Sequence, residues 1–224
     1  MLAGRCSLTT IPVLYEDEDI LAVDKPEGLA AIPERYGQGG SLFELLCAER
    51  REKLYIVHRI DKETSGLILF ARNPKAHRRL NRQFETRAVE KLYLALVQGV
   101  IAEDGGTIDR PLRQFGSGRV AVDPERGKSS TTEFRVLDRF RSHTLVEARP
   151  RTGRRHQIRV HLYHIGHPIA GDPLYGDQAA RQGFSRLMLH AWRSSLILPS
   201  DRRLTLEAPI PLSFQVALKA IDGQ

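Results

Sequence analysis

Cysteine is almost absent from this chain: Cys6 and Cys47 are the two among 224 residues. They stand far apart and in no metal-ligand or redox spacing, which argues against a disulfide framework or a thiolate metal centre. The expected setting is the reducing cytoplasm. Long apolar runs are missing as well. No segment approaches the roughly 18–20 apolar residues of a membrane span, so no membrane partner is expected. Met1 to Thr10 show no basic patch ahead of an apolar core, so no secretory signal is read there. Phosphate-cradling loops are lacking: there is no Gly-x-x-x-x-Gly-Lys-Ser/Thr, and Gly116-Ser117-Gly118 has neither a third glycine nor a strand-to-helix context. No nucleotide cofactor is therefore expected. A Gly-x-Ser-x-Gly nucleophile elbow is absent too, since Ser65 precedes Gly66 without the upstream glycine.

What the chain has instead is positive charge. Lys and Arg number 34 against 27 Asp and Glu, giving +7 and a pI near 9.7. Such a balance favours a polyanionic partner, because releasing counterions from phosphates drives binding whatever the base sequence. The charge is also clustered. Arg149, Arg151, Arg154, Arg155 and Arg159 follow one another without an intervening acid. The stretch 72–91 holds seven positive residues, among them Arg78, Arg79 and Arg82, against Glu85 and Glu90. One such run is ordinarily a solvated face. Two runs, both rich in the residue suited to bidentate phosphate contact and base stacking, point to nucleic acid.

Hydrophobic residues at 41% and a length of 224 suffice for a buried core. No repeat or linker divides the chain, so a single domain over 13–224 with a short extension at 1–12 is the expected organisation. Short β-type runs recur at 13–16, 20–24, 67–71, 92–97, 132–137, 144–148, 187–191 and 204–206, separated by turns such as Lys25-Pro26-Glu27-Gly28 and Gly105-Gly106. Three helices interrupt them. Ser-Leu-Phe-Glu from Ser41 makes a capping box, and Asn73-Pro74 supplies an N-cap with proline behind it. A third helix is predicted over 154–165, stopping at Gly166. Strands outnumber helices and most connections are short. The expected fold is α+β: a mainly antiparallel, mixed sheet flanked by helices and loops, with a central cleft for RNA.

His156, His161, His164 and His167 crowd one segment, but no cysteine or carboxylate completes a zinc set, so no metal is expected. The stretch Val57-His58-Arg59-Ile60-Asp61-Lys62-Glu63-Thr64-Ser65-Gly66 sets an aspartate among cations ahead of an apolar strand. Locally, Asp61 and Thr64 read as turn-capping residues before they read as chemistry. Neighbouring cations keep a carboxylate ionised, as a nucleophile or base requires.

This stretch resembles the signature of the RluA-type pseudouridine synthases, His-Arg-Leu-Asp-x-x-Thr-Ser-Gly. Other segments resemble that family's motifs in the same order: Asp24 to Leu29, Glu90-Lys91-Leu92-Tyr93-Leu94-Ala95, Arg151 to Leu162, Gly166 to Gly176, and Leu189-His190-Ala191. Together they span roughly residues 13–210. Two departures stand out. Ile60 replaces the usual leucine, a volume-conserving swap, and Arg155 stands where threonine is more common.

The resemblance implies isomerisation of uridine to pseudouridine in a structured RNA stem-loop, tRNA or large-subunit rRNA or both, by base flipping and without a cofactor. It assigns the essential carboxylate to Asp61, base stacking and help with the C5 proton to Tyr93, and pairing with the aspartate to Arg159. Attack on ribose C1′ and removal of a ribose proton both need an ionised, held carboxylate. Expected RNA contacts are His58, Arg59, Arg78, Arg79, Arg82, Arg151, Arg154 and Arg155. A cytoplasmic, monomeric enzyme without the small S4-type RNA-binding domain is the corresponding picture. The rival is a catalytically idle RNA-binding or RNA-chaperone protein on the same scaffold. A carboxylate glycoside hydrolase would leave the arginine clusters without a purpose.

Overall fold

The computed structural model describes residues 11–33 and 40–222; Cys6 and most of the expected N-terminal extension lie outside them. In chain order the elements are β1 (Val13–Glu16), β2 (Ile20–Lys25), α1 (Leu42–Arg50), β3 (Tyr55–Ile56), β4 (Ser65–Ala71), α2 (Pro74–Glu85), β5 (Glu90–Gln98), β6 (Gly105–Asp109), β7 (Leu112–Gln114), β8 (Val120–Val122), β9 (Thr131–Arg139), β10 (His143–Pro150), α3 (Gln157–His164), α4 (Gln178–Arg181), β11 (Leu189–Ile197), β12 (Arg203–Glu207) and α5 (Leu212–Asp222).

One sheet runs β1-β2-β4-β11-β5-β10-β9-β6, with β12 added to β11 and β3 added to β4. The β4–β11 pair is parallel and its neighbouring pairs are antiparallel. This is the mixed, mainly antiparallel α+β arrangement expected from the strand pattern. β7 and β8 form a separate hairpin.

The burial pattern explains the strand sequences. β4, Ser-Gly-Leu-Ile-Leu-Phe-Ala, is buried throughout because both of its faces are covered. Leu67, Leu69 and Ala71 join Ile20 and Ala22 against Ala76 and Leu80 of α2. Ile68 and Phe70 join Leu21 and Val23 against Leu42 and Leu46 of α1. A strand covered on both sides reads as a continuous apolar run. β10 instead alternates, burying Thr144, Val146, Ala148 and Pro150 and leaving the residues between them half-buried.

Both expected caps form. Ser41 and Glu44 satisfy each other's backbone N–H groups, and the Asn73 side chain accepts from Ala76 N at 2.8 Å. Three expectations need correction. The third helix starts at Gln157, because His156 takes a left-handed backbone (φ 53°) that breaks continuity with Arg154. Gly105-Gly106 is no turn but the start of an edge strand paired with β9, and a Cβ on Gly105 would lie 2.7 Å from the Phe134 carbonyl oxygen. The chain also closes with α5, which buries Phe214 and Ile221. Pro211 before it and apolar residues at 214, 218 and 221 were its available sequence signs.

Candidate active site

Asp61 lies in the turn between β3 and β4, closed by Thr64 N–H donating to the Asp61 carbonyl at 3.1 Å. That turn is fastened from beneath. Lys25, fully buried at the end of β2, donates from Nζ to the carbonyls of Pro26 (2.8 Å), Leu29 (2.8 Å) and Lys62 (3.0 Å). Gly28 N–H reaches the same Lys62 carbonyl at 2.9 Å. Burial pushes the Lys25 ammonium down to about 7, while Glu63, Glu27 and Asp61 act to hold it up. Immediately beyond, Gly66 takes φ +108°, and a Cβ there would collide with the Ala191 carbonyl oxygen. The close parallel approach of β11 therefore requires glycine at the second residue of β4.

The Asp61 carboxylate is partly exposed and opens on a cavity of about 560 Å³. Arg159 and Tyr93 line the same space, as do Arg59, His58, Arg151 and Arg154. Arg159 enters from α3 and is buried. Its close partner is Asp172: Nε donates to Oδ2 at 2.8 Å and Nη2 to Oδ1 at 2.7 Å. Only Nη1 is left for Asp61 (3.5 Å) and Glu63 (3.6 Å). Asp172 is fixed in turn by Leu174 N–H (2.8 Å) and Tyr175 N–H (3.1 Å). The guanidinium sits over the Tyr175 ring, and the Tyr175 hydroxyl bonds to His156 Nδ1 (2.8 Å) and accepts from Val120 N–H (3.1 Å). The Gly166 to Gly176 segment is thus the clamp that orients Arg159. The guanidinium stays cationic, raised by its bonds to Asp172 against the pull of burial.

Tyr93 approaches from β5. Burial, reinforced by the Asp61 charge, pushes its phenol well above the usual range, so it is held neutral. His58 behaves differently from a cationic RNA contact. Its ring stacks on Phe84 at 4.7 Å and its Nε2 accepts Leu69 N–H at 2.9 Å. Burial, with Lys91 nearby, pushes it down to about 3. The imidazole is neutral, with its proton on Nδ1.

The two arginine clusters part company. Arg151 and Arg154 stand on the cavity wall, Arg151 paired with Glu133 (2.7 Å) and Arg154 donating to the Ser129 carbonyl (3.3 Å). Arg155 is exposed outside the cavity lining. Arg78, Arg79 and Arg82 line a separate groove of about 630 Å³ on the outer side of α2; Ala88 lines both spaces. Arg79 is engaged there by Asp201 and by the Pro199 carbonyl (2.8 Å).

Several residues of the site were not assigned a role from sequence. Asp172, Tyr175 and Lys25 all stood inside quoted motifs, but only contacts reveal their jobs. Arg186 stood in none. It is buried and ties Glu27 (2.8 Å) to Ser65 Oγ (2.7 Å), and Ser65 lies 2.8 Å from His190 Nδ1. Burial pushes His190 down to about 4. The Ser65 hydroxyl thus accepts from Arg186 and donates to a neutral imidazole, so it is spoken for. The clustered histidines are likewise occupied separately: His161 by Thr132 and the Arg110 carbonyl, His167 by the Gln98 carbonyl.

Known proteins resemble this chain in sequence and in fold. Residues 19–164 match the sequence profile of the RNA pseudouridylate synthase family. The ribosomal large subunit pseudouridine synthase D of Pseudomonas aeruginosa is 39% identical over 91% of this chain and 69% of its own. The ribosomal large subunit pseudouridine synthase C of Vibrio cholerae is 40% identical over 92% of this chain and 68% of its own. Among solved structures, human RNA pseudouridylate synthase domain containing 1 superposes with a TM-score of 0.81 at 29% identity, covering 97% of this chain and 90% of that one.

Proposed function

The chain belongs to the RNA pseudouridylate synthase family, and from that premise we propose that it isomerises uridine in large-subunit ribosomal RNA with Asp61 as the catalytic carboxylate. The observation that carries this reading is the convergence of Asp61, Tyr93 and Arg159, from three separate elements, on one cavity.

The reaction breaks the bond from ribose C1′ to uracil N1, turns the base and joins C1′ to C5. C5 loses a proton and N1 gains one, so nothing is oxidised or reduced. Asp61 serves as nucleophile at C1′ or as the base that removes a ribose proton; either task needs a carboxylate held in place. The turn fastened by Lys25 and Gly28 supplies the hold. Arg159, fixed by Asp172, offers one N–H edge to Asp61 without locking it in a tight pair. Tyr93, as a neutral phenol, is a stacking surface and hydrogen-bond donor for uracil, and burial disfavours the phenolate it would need to act as a base. This narrows the part expected of it in handling the C5 proton.

A base must leave its stack to enter such a cavity, at a cost of a few kcal/mol that is lowest in loops. Arg59, Arg151 and Arg154 around the cavity, and Arg78 and Arg82 on the outer side of α2, suit the flanking phosphates of a stem-loop. The test is pseudouridine mapping of ribosomal and transfer RNA from cells without the protein, complemented by wild type or Asp61→Ala. Loss of a ribosomal site, restored by wild type and not by the variant, is expected. If every site persisted, or the variant restored it fully, the reading would be wrong; loss confined to transfer RNA would reassign the substrate.

A further inference from the structure

One cation of the cavity is set apart from the arginines around it. Lys91 stands two positions before Tyr93 on β5, and the pleat sends both side chains to the same face, about 7 Å apart along the strand. Both line the cavity. Lys91 is half-buried, and its surroundings give it no counter-charge. Glu90 beside it is committed to Arg149 (2.7 Å) and Arg203 (3.6 Å). Among the described residues, no ion pair or hydrogen bond engages the Lys91 ammonium. Burial alone lowers it, uncompensated by any carboxylate.

The neighbours reinforce the point. Lys91 lies near enough to His58 to push that imidazole further towards its neutral form. With Nε2 of His58 occupied by Leu69 N–H, the ring turns a donor N–H, and no acceptor, towards its surroundings. On the other side stands Gly153, where even an added Cβ would remain 3.9 Å from Nζ. Gly153 stands in the cavity wall between Arg151 and Arg154, close to this ammonium. A half-buried ammonium without a counter-charge loses part of its hydration and gains no partner in return. Its position makes chemical sense once an anion arrives.

We propose that Lys91 binds one phosphate of the RNA strand, the phosphate adjoining the uridine received by Tyr93 and Asp61. The inference rests on the pseudouridine synthase reading of this cavity. It differs from a general attraction to RNA. Exposed arginines meet phosphates on any strand that approaches, whereas Lys91 meets one only when a nucleotide has entered the cavity. Lysine suits this task because a compact ammonium binds phosphate as a point charge, without the two-pronged geometry arginine imposes. The contact therefore favours strands whose nucleotides are free to enter over paired ones.

Binding in the absence of turnover tests this directly. Wild type, Lys91→Met and Lys91→Arg would be titrated by fluorescence anisotropy against labelled octauridylate and a labelled RNA duplex over a series of KCl concentrations. Lys91→Met is expected to bind octauridylate about tenfold more weakly, with the slope of log affinity against log salt reduced by about 0.7, the loss of one single-strand phosphate contact. Its duplex affinity should stay within about twofold of wild type, and Lys91→Arg should restore most of the slope. Thermal unfolding of Lys91→Met should occur at or above the wild-type temperature, since a partly desolvated charge without a counter-charge has gone. An unchanged salt slope, equal weakening on both RNAs, no wild-type binding to octauridylate, or a fall in melting temperature alongside affinity would overturn the proposal. Failure of the underlying reading would show elsewhere, as the absence of any pseudouridine that depends on Asp61.

Discussion

Arg159 carries one positive charge and faces three carboxylates, Asp172, Asp61 and Glu63. The geometry decides how it is shared. Asp172 takes two short bonds in a buried setting, while Asp61 and Glu63 meet the remaining nitrogen at longer range. Removing Asp172 leaves the buried guanidinium with only the two longer contacts, and breaking a buried pair costs about 3–5 kcal/mol. Asp172→Ala should accordingly lose stability on that scale in urea unfolding. A loss under about 1 kcal/mol would show that the pair does not hold the clamp. Asp61→Asn should do the reverse. Its link to Arg159 is long and partly exposed, so stability should change by no more than about 1 kcal/mol. Pseudouridine formation by that variant should fall on the order of 10³-fold or more.

Elements position these residues through a few specific contacts. α2 is started by Asn73, whose side chain caps Ala76 N–H and also donates to Asp19 Oδ1 at 2.7 Å, so the cap doubles as a tie to the β1–β2 turn. Asn73→Ala should cost about 1–2 kcal/mol, measured as a shift in the urea midpoint. The strand junction below Asp61 is less tolerant. Gly66→Ala puts a methyl into the Ala191 carbonyl and asks alanine to hold a positive φ. It should destabilise by more than about 2 kcal/mol and disturb activity together with stability, because β4 carries the Asp61 turn. An activity loss with wild-type stability would point to another role for this glycine.

At the scale of the whole molecule, buried ionisable groups set the response to acid. Burial holds His58 at about 3 and His190 at about 4, against 6.5 in the unfolded chain. Unfolding therefore takes up protons below that value, so stability falls as pH drops from 6.5 towards 4, each imidazole contributing up to about 1.4 kcal/mol per pH unit. Asp24 acts with the opposite sign. Burial and Glu27 raise it to about 6, so the folded state holds its proton over the range from 3.8 to 6 and is favoured there by acid. Two imidazoles outweigh one carboxyl. The urea midpoint should decline on acidification, and His190→Gln should make the decline shallower; a midpoint constant over this range would contradict the assignment.

Much of this was legible in one dimension, and the reasons differ by feature. The covered strand β4 announced itself because a strand buried on both faces has to be apolar throughout. The caps at Ser41 and Asn73 could be read because their bonds are made within three residues. The family followed from ordered motifs, and with it the short set Asp61, Tyr93 and Arg159. The edge strand at Gly105-Gly106 was hidden because its glycines serve a distant Phe134. Contacts between residues far apart in the chain were out of reach for the same reason. The sequence by itself determined which chemical groups are available, where the two capped helices α1 and α2 begin and which strands must be buried, since these depend on neighbours along the chain. Tertiary structure alone decided that Asp172 holds Arg159, that His58 is neutral and that Lys91 faces the cavity unpaired, because charge state and partner choice depend on what burial removes from water.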